Sequence, residues 1–269
     1  MNRRNLIGMA ASILAVEPGP AAAQGAPAAA SGKSGPDHGA FDRLLGRYVL
    51  TYADRINRVD YRAWRDNAAD RSALAAYLRA LQGTSPRTLA PNEQVAFWSN
   101  LYNAETLRVV LDAYPVSSIL SIRPTLVSFG PWKAKTLRVD GADLSLDEVE
   151  NRILRPVFGD PMIHYALNCA SISCPNLRPR AWRGATLAAD LERAARDYIN
   201  HPRGVRTASK GLVLSSIYKW YRADFGDSDA AILKHLARFA APSLRAVLDA
   251  RPPIAGYAYD WDLNAPGKA

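Results

Sequence analysis

Both cysteines of the chain lie in the stretch from His164 to Cys174 (HYALNCASISC), which also holds one of its four histidines. Three chemistries fit those residue types at that spacing. Cys169 and Cys174 could form a disulfide over four intervening residues and pin an irregular loop. Either thiol could instead be a nucleophile once deprotonated, with His164, His201 or His235 as its base. Pro175 favours a first helical turn, so Cys174 could sit at a helix start, where a thiolate is stabilised. The third option is a metal held by His164, Cys169 and Cys174. C-x4-C departs from the usual zinc spacing and a fourth ligand is not evident, so neither metal nor cofactor is expected.

Two further segments place polar residues among apolar ones. On a helical reading of Pro91 to Tyr114, Glu93, Asn100 and Asn103 gather on one side, among Phe97, Leu107 and Leu111. Such an amide could line a pocket beside His164, or could pin a neighbouring loop through backbone bonds. In Ser215 to Phe225, the polar Lys219, Arg222 and Asp224 alternate with Trp220 and other aromatics. That pattern suits either an anion-binding groove or an ion pair on a packed face. The candidate pocket is therefore Glu93, Asn100, Asn103, His164, Trp220 and Asp224.

The elements that must carry these residues can be read from periodicity. Helical spacing of apolar residues runs over Phe41–Tyr52, Ser72–Leu81 and Pro91–Tyr114. The third of these is apolar nearly all round, which predicts a buried central helix. Asp140-Gly141 joins two short strands, 136–139 and 142–144. Ser145 and Glu148 then form a capping box for a helix reaching about Leu154. A helix over 186–200, a second hairpin over 205–214, short helices over 217–221, 228–239 and 243–248, and a last strand over 256–263 complete the reading. Helices and hairpins interleave without regular strand–helix alternation, so the expected class is α+β: a helix-rich single domain with a small antiparallel sheet formed by the hairpins and the last strand.

The N-terminus predicts export. Arg3-Arg4, the short apolar run Leu6 to Val16 and Ala21 to Ala23 read as a twin-arginine-like signal peptide over residues 1–23, a general secretory signal being the alternative. Residues 24–39 are rich in Ala, Gly, Ser and Pro and read as a flexible linker with His38 in solvent. The expected location is periplasmic or secreted, with no transmembrane segment in the mature protein. A net charge of +9, mostly scattered arginine, allows anionic envelope polymers or peptides as partners. No basic motif interleaved with aromatics appears, which with export argues against nucleic acid.

Four motifs then carry a resemblance: Glu93 to Ala104, His164 to Pro175, Ile217 to Phe225 and Tyr259 to Asn264 (YDWDLN). In this order they resemble the DUF547 family, a domain of unknown function. The resemblance implies a single domain over 40–264, with 265–269 as a tail. It implies no reaction, so it leaves two functional classes. One is a cell-envelope binding or scaffold protein with a structural Cys169–Cys174 disulfide. The other is a cysteine-type hydrolase or acyl transferase using Cys169 or Cys174 with His164.

Overall fold

The computed structural model describes residues 35–125 and 129–267. The expected signal and most of the expected linker lie outside them. The described chain begins with α1 (Gly39–Tyr48), then a tight hairpin, β1 (Val49–Thr51) with β2 (Asn57–Val59), and the short helix α2 (Tyr61–Asp66). The helical period expected to reach Tyr52 stops at Tyr48. The chain turns there into strand, and Arg55, at φ 60°, takes a left-handed conformation in the turn. Asp60 caps α2 by accepting from the Ala63 amide.

His38 is 3% exposed, against the expectation of a solvated side chain. Its Nδ1 meets the Tyr77 hydroxyl at 2.7 Å, and its ring packs edge-on against the same tyrosine. A buried phenol needs a partner, and the imidazole supplies it.

Helices α3 (Ala68–Gln82) and α4 (Pro91–Ala113) come next. Pro91 opens α4 at a position with no backbone bond to lose. Nearly every residue from Val95 to Leu107 is buried, so α4 is the central helix its sequence predicts. It packs against α2, α3 and the segments C-terminal to it.

Strands β3 (Leu137–Val139) and β4 (Ala142–Leu144) form the expected hairpin. Asp140 and Gly141 both have positive φ, as its tight turn demands. The Ser145–Glu148 capping box is present and opens α5 (Leu146–Glu148). The expected helix does not continue regularly to Leu154. Instead Val149–Leu154 is a π-helical turn, continued by α6 (Arg155–Phe158). Pro161–Tyr165 is a 3-10 turn capped by Asp160.

The last third holds α7 (Leu187–Ile199), β5 (Val205–Ala208), β6 (Gly211–Ser215), α8 (Ile217–Trp220), α9 (Asp229–Phe239), α10 (Pro242–Asp249) and β7 (Ile254–Ala258). The class is α+β and helix-rich with small sheets. The hairpins do not merge into one sheet: two stay separate, and the third makes a mixed sheet in which β7 pairs parallel with β6. Beyond β7 the chain runs against the cysteine segment. Ile172 donates to the Asp262 carbonyl, Ser173 to that of Asp260, and Asn264 to that of Ala170. The final motif is thereby laid along the Cys169–Cys174 loop. Among the described residues no helix is long and apolar enough to cross a membrane.

Candidate functional site

A cavity of about 280 Å³ lies where these segments meet. The π-helical turn and α5 bring Asp147, Glu150 and Asn151 to it, and the 3-10 turn after Asp160 brings His164. A π turn is a local widening of the helix and is frequent at functional sites. Trp132, Trp220, Trp261 and Tyr259 form one aromatic wall. Tyr259 and Trp261 have ring centroids 4.6 Å apart, and Trp220 lies 4.8 Å from Tyr259 and 5.5 Å from Trp261. Trp220 is 46% exposed, unusual for so large an apolar ring.

His164 is held in a fixed orientation at the cavity. Its Nε2 donates to Asp224 Oδ2 at 2.7 Å, and its ring stacks on Tyr221 with centroids 4.1 Å apart. Asp224 is gripped from the other side by Arg155, whose Nε and Nη2 reach its two oxygens at 2.6 and 2.8 Å. Burial alone would raise the Asp224 pKa. The hydrogen bonds from His164 and Arg155 outweigh it and hold the carboxyl well below the usual range. An ionised carboxylate can only accept, which places the imidazole proton on Nε2. In the neutral imidazole Nδ1 is then the lone-pair acceptor. Among the described residues it has no protein partner, and it is not sealed from the cavity that His164 lines.

Glu150 is largely buried and acts on the Tyr221 hydroxyl at close range. Burial pushes the Tyr221, Tyr102 and Tyr259 hydroxyls upward, with the nearby Glu150 carboxylate adding to it. All three therefore stay protonated and can donate hydrogen bonds.

Cys169 and Cys174 are joined in a disulfide with their Cα atoms 6.3 Å apart. Both line the cavity, Cys169 partly exposed and Cys174 buried. Neither sulfur is a thiolate in this state, and neither is hydrogen-bonded to His164. The other two histidines considered as bases are committed elsewhere. His201 Nε2 donates to the Asp54 carbonyl at 2.9 Å, and His235 meets the Tyr165 hydroxyl at 2.9 Å.

Of the residues singled out from sequence, His164, Cys169, Cys174 and Trp220 line the cavity and Asp224 orients His164. Asn100, Asn103 and Glu93 do not line it. Asn100 clamps the backbone of Trp182, donating to its carbonyl and accepting from its amide, both at 2.9 Å. Asn103 holds the chain just after His164, donating to the Ala166 carbonyl at 2.8 Å and accepting from the Asn168 amide at 2.9 Å. Glu93 lies against Gly184, where a β-carbon would come within 2.7 Å of the Glu93 backbone nitrogen. Lys219 and Arg222 do not line this cavity. Arg222 pairs with Asp229 at 2.8 Å, and Lys219 lies 6.0 Å from the Tyr257 ring.

Sequence reasoning misses Arg155, Glu150, Asp147, Tyr102, Trp132, Tyr221, Tyr259 and Trp261 as site residues. A signal exists for part of this set. Asp147, Glu150 and Asn151 fall at i, i+3 and i+4 after a capping box, a polar stripe that reads as an ordinary solvent face.

No curated protein and no solved structure matches this chain. Residues 86–199 match the family described as "Protein of unknown function, DUF547". That span takes in α4 and the whole His164–Cys174 loop, while the motifs carrying Asp224 and Tyr259 lie beyond it. The protein thus carries a DUF547 domain, and that domain supplies the central helix, the histidine and both cysteines of the cavity.

Proposed function

We propose that this is an exported, periplasmic or secreted cell-envelope protein whose cavity binds a segment of an envelope polymer or peptide. Within it His164 serves as general base for hydrolysis of an ester or amide bond. The observation that carries the reading is the divided imidazole: one nitrogen fixed to an ionised Asp224, the other an acceptor without a partner among the described residues, in a cavity. A base so oriented can take a proton from water bound at Nδ1. The Tyr102 hydroxyl on the same walls, kept protonated by burial, suits the charge that develops on a carbonyl oxygen under attack.

The aromatic wall fits the flat faces of sugar rings or apolar side chains. Asp147 and Glu150 against Lys133 make the lining slightly acidic. Amide- and hydroxyl-bearing segments therefore suit it better than strongly anionic ones, and the surplus positive charge of the chain lies outside the cavity.

The test is incubation of the purified protein with fragmented envelope material, read by mass spectrometry for new ester or amide hydrolysis products. Wild type is expected to release them, and His164→Gln and Asp224→Asn to lose about a hundredfold or more in rate while still binding the fragments. Fragments that bind but are returned unchanged by wild type would overturn the catalytic part. A second reading, a binding or scaffold protein without catalysis, is favoured by one observation: the disulfide holds both thiols out of use.

A further inference from the structure

Cys174 is a buried sulfur with an unusual set of neighbours. The Cys169 amide points at its Sγ from 2.9 Å, and the Tyr259 hydroxyl lies 3.1 Å away. Behind that hydroxyl stands Ser171, whose Oγ donates to the Tyr259 oxygen at 3.0 Å and so leaves the phenol proton free for a sulfur. A disulfide sulfur is a weak acceptor and gains little from such donors. A thiolate gains much more, because hydrogen bonds to a charged acceptor are the strong ones. The surroundings of Cys174 thus match the reduced, ionised form better than the bridged one. Cys169 Sγ shares the hydroxyl neighbours, 3.2 Å from Tyr259 and 3.3 Å from Ser171 Oγ, but no backbone amide points at it; partly exposed on the cavity wall, it is the sulfur an incoming group can reach.

We propose that the Cys169–Cys174 pair is a thiol-exchange site that takes a low-molecular-weight thiol through the cavity. The volume admits a small thiol and not a folded protein. The thiol loses its proton to solvent or to the open nitrogen of His164, and its sulfur attacks Cys169 Sγ. A bond forms between the two, the Cys169–Cys174 bond breaks, and the electron pair leaves on Cys174 as a thiolate held by the Cys169 amide and the Tyr259 hydroxyl. A second thiol attacks the first at the mixed disulfide. That releases the oxidised thiol dimer and leaves both cysteines reduced, so two thiols are oxidised for one disulfide reduced. Because neither step needs the hydrolytic ligand, the inference stands apart from the proposed hydrolysis.

The full chain, folded and without denaturant, would be equilibrated in graded mixtures of reduced and oxidised glutathione, quenched by alkylation and read by intact mass and peptide mapping. Exchange is expected within minutes at millimolar thiol, with the mixed disulfide on Cys169 alone. Tyr259→Phe is expected to need about a tenfold more reducing mixture to reach the midpoint, since one hydrogen bond to the thiolate is lost. Ser171→Ala is expected to shift it the same way and by less, and serves as the test if Tyr259→Phe does not fold. A disulfide that opens only in denaturant, an adduct on Cys174, or a midpoint unmoved by these variants would overturn the proposal.

Discussion

Two parts of this molecule carry similar polar residues and treat them in opposite ways. On α4, Asn100 places its amide oxygen and nitrogen on the backbone of Trp182, and Asn103 does the same to the 166–168 segment. In the cavity, His164 commits one nitrogen to Asp224, and the other has no partner among the described residues. The first arrangement is closed and the second is open. Burial does not separate them, since Asn100, Asn103 and His164 are all under 5% exposed. The difference lies in whether each polar atom has already found its partner, and only an atom with a vacancy can act on a ligand. Asn103 links the two regions: it holds the Ala166 and Asn168 backbone on either side of Leu167, between the histidine and the first cysteine.

The largest effect on stability should therefore come from the closed region. Asn100→Ala removes both hydrogen bonds to Trp182 and leaves a buried amide and carbonyl unpaired, each costing about 1–3 kcal/mol. A loss of about 3 kcal/mol in urea unfolding is expected. A loss under about 1 kcal/mol would break the comparison, because it would mean that the clamp carries no load in the fold.

Much of this is legible in the sequence, for identifiable reasons. Periodicity locates α4 because a helix buried on all sides has to be apolar on all sides. Asp140-Gly141 and the Ser145–Glu148 box are readable because turn and cap chemistry is local. His164 and Asp224 each stand out, yet nothing in the sequence joins them, since their pairing depends on tertiary packing across 60 positions. Arg155 sits beyond a π-helical turn, which shifts the phase of every residue after it and defeats an ordinary helical projection. The parallel pairing of β7 with β6 is equally hidden, because α8, α9 and α10 intervene between the two strands.

A second contrast, between two histidines, gives an effect of intermediate size. His164 faces a carboxylate and a cavity. His235 faces the Tyr165 hydroxyl and is wedged among Tyr165, Phe225 and Phe239. Burial, aided by the charge of Arg238, pulls the His235 pKa down to about 4. An unfolded histidine titrates near 6.5. Between those values the unfolded chain takes up a proton that the folded one refuses, so this contribution is complete above about pH 6.5 and is lost as pH falls towards 4. After discounting for partial exposure it amounts to about 2 kcal/mol. His38 and His201 are shifted down as well and act in the same direction. His235→Gln, which can still hydrogen-bond to Tyr165, is expected to flatten the pH dependence of unfolding over that window by His235's share. An unchanged slope would show that His235 is not held neutral.

The smallest effect on stability, and the sharpest test of the open region, belongs to Trp220. With nearly half its surface in solvent and its inner face on Tyr259 and Trp261, it gives the fold little that a smaller side chain would forfeit. Trp220→Ala is expected to lower stability by under about 1 kcal/mol, as for an exposed position. If the aromatic wall is where a polymer segment lies, the same change should weaken binding of an envelope fragment about tenfold, which is what losing one stacked ring costs. Calorimetric titration beside urea unfolding separates the outcomes. A variant that keeps its stability and loses its ligand makes Trp220 part of an open site. One that loses several kcal/mol returns Trp220 to the same class as Asn100: a side chain whose partners are already inside the protein.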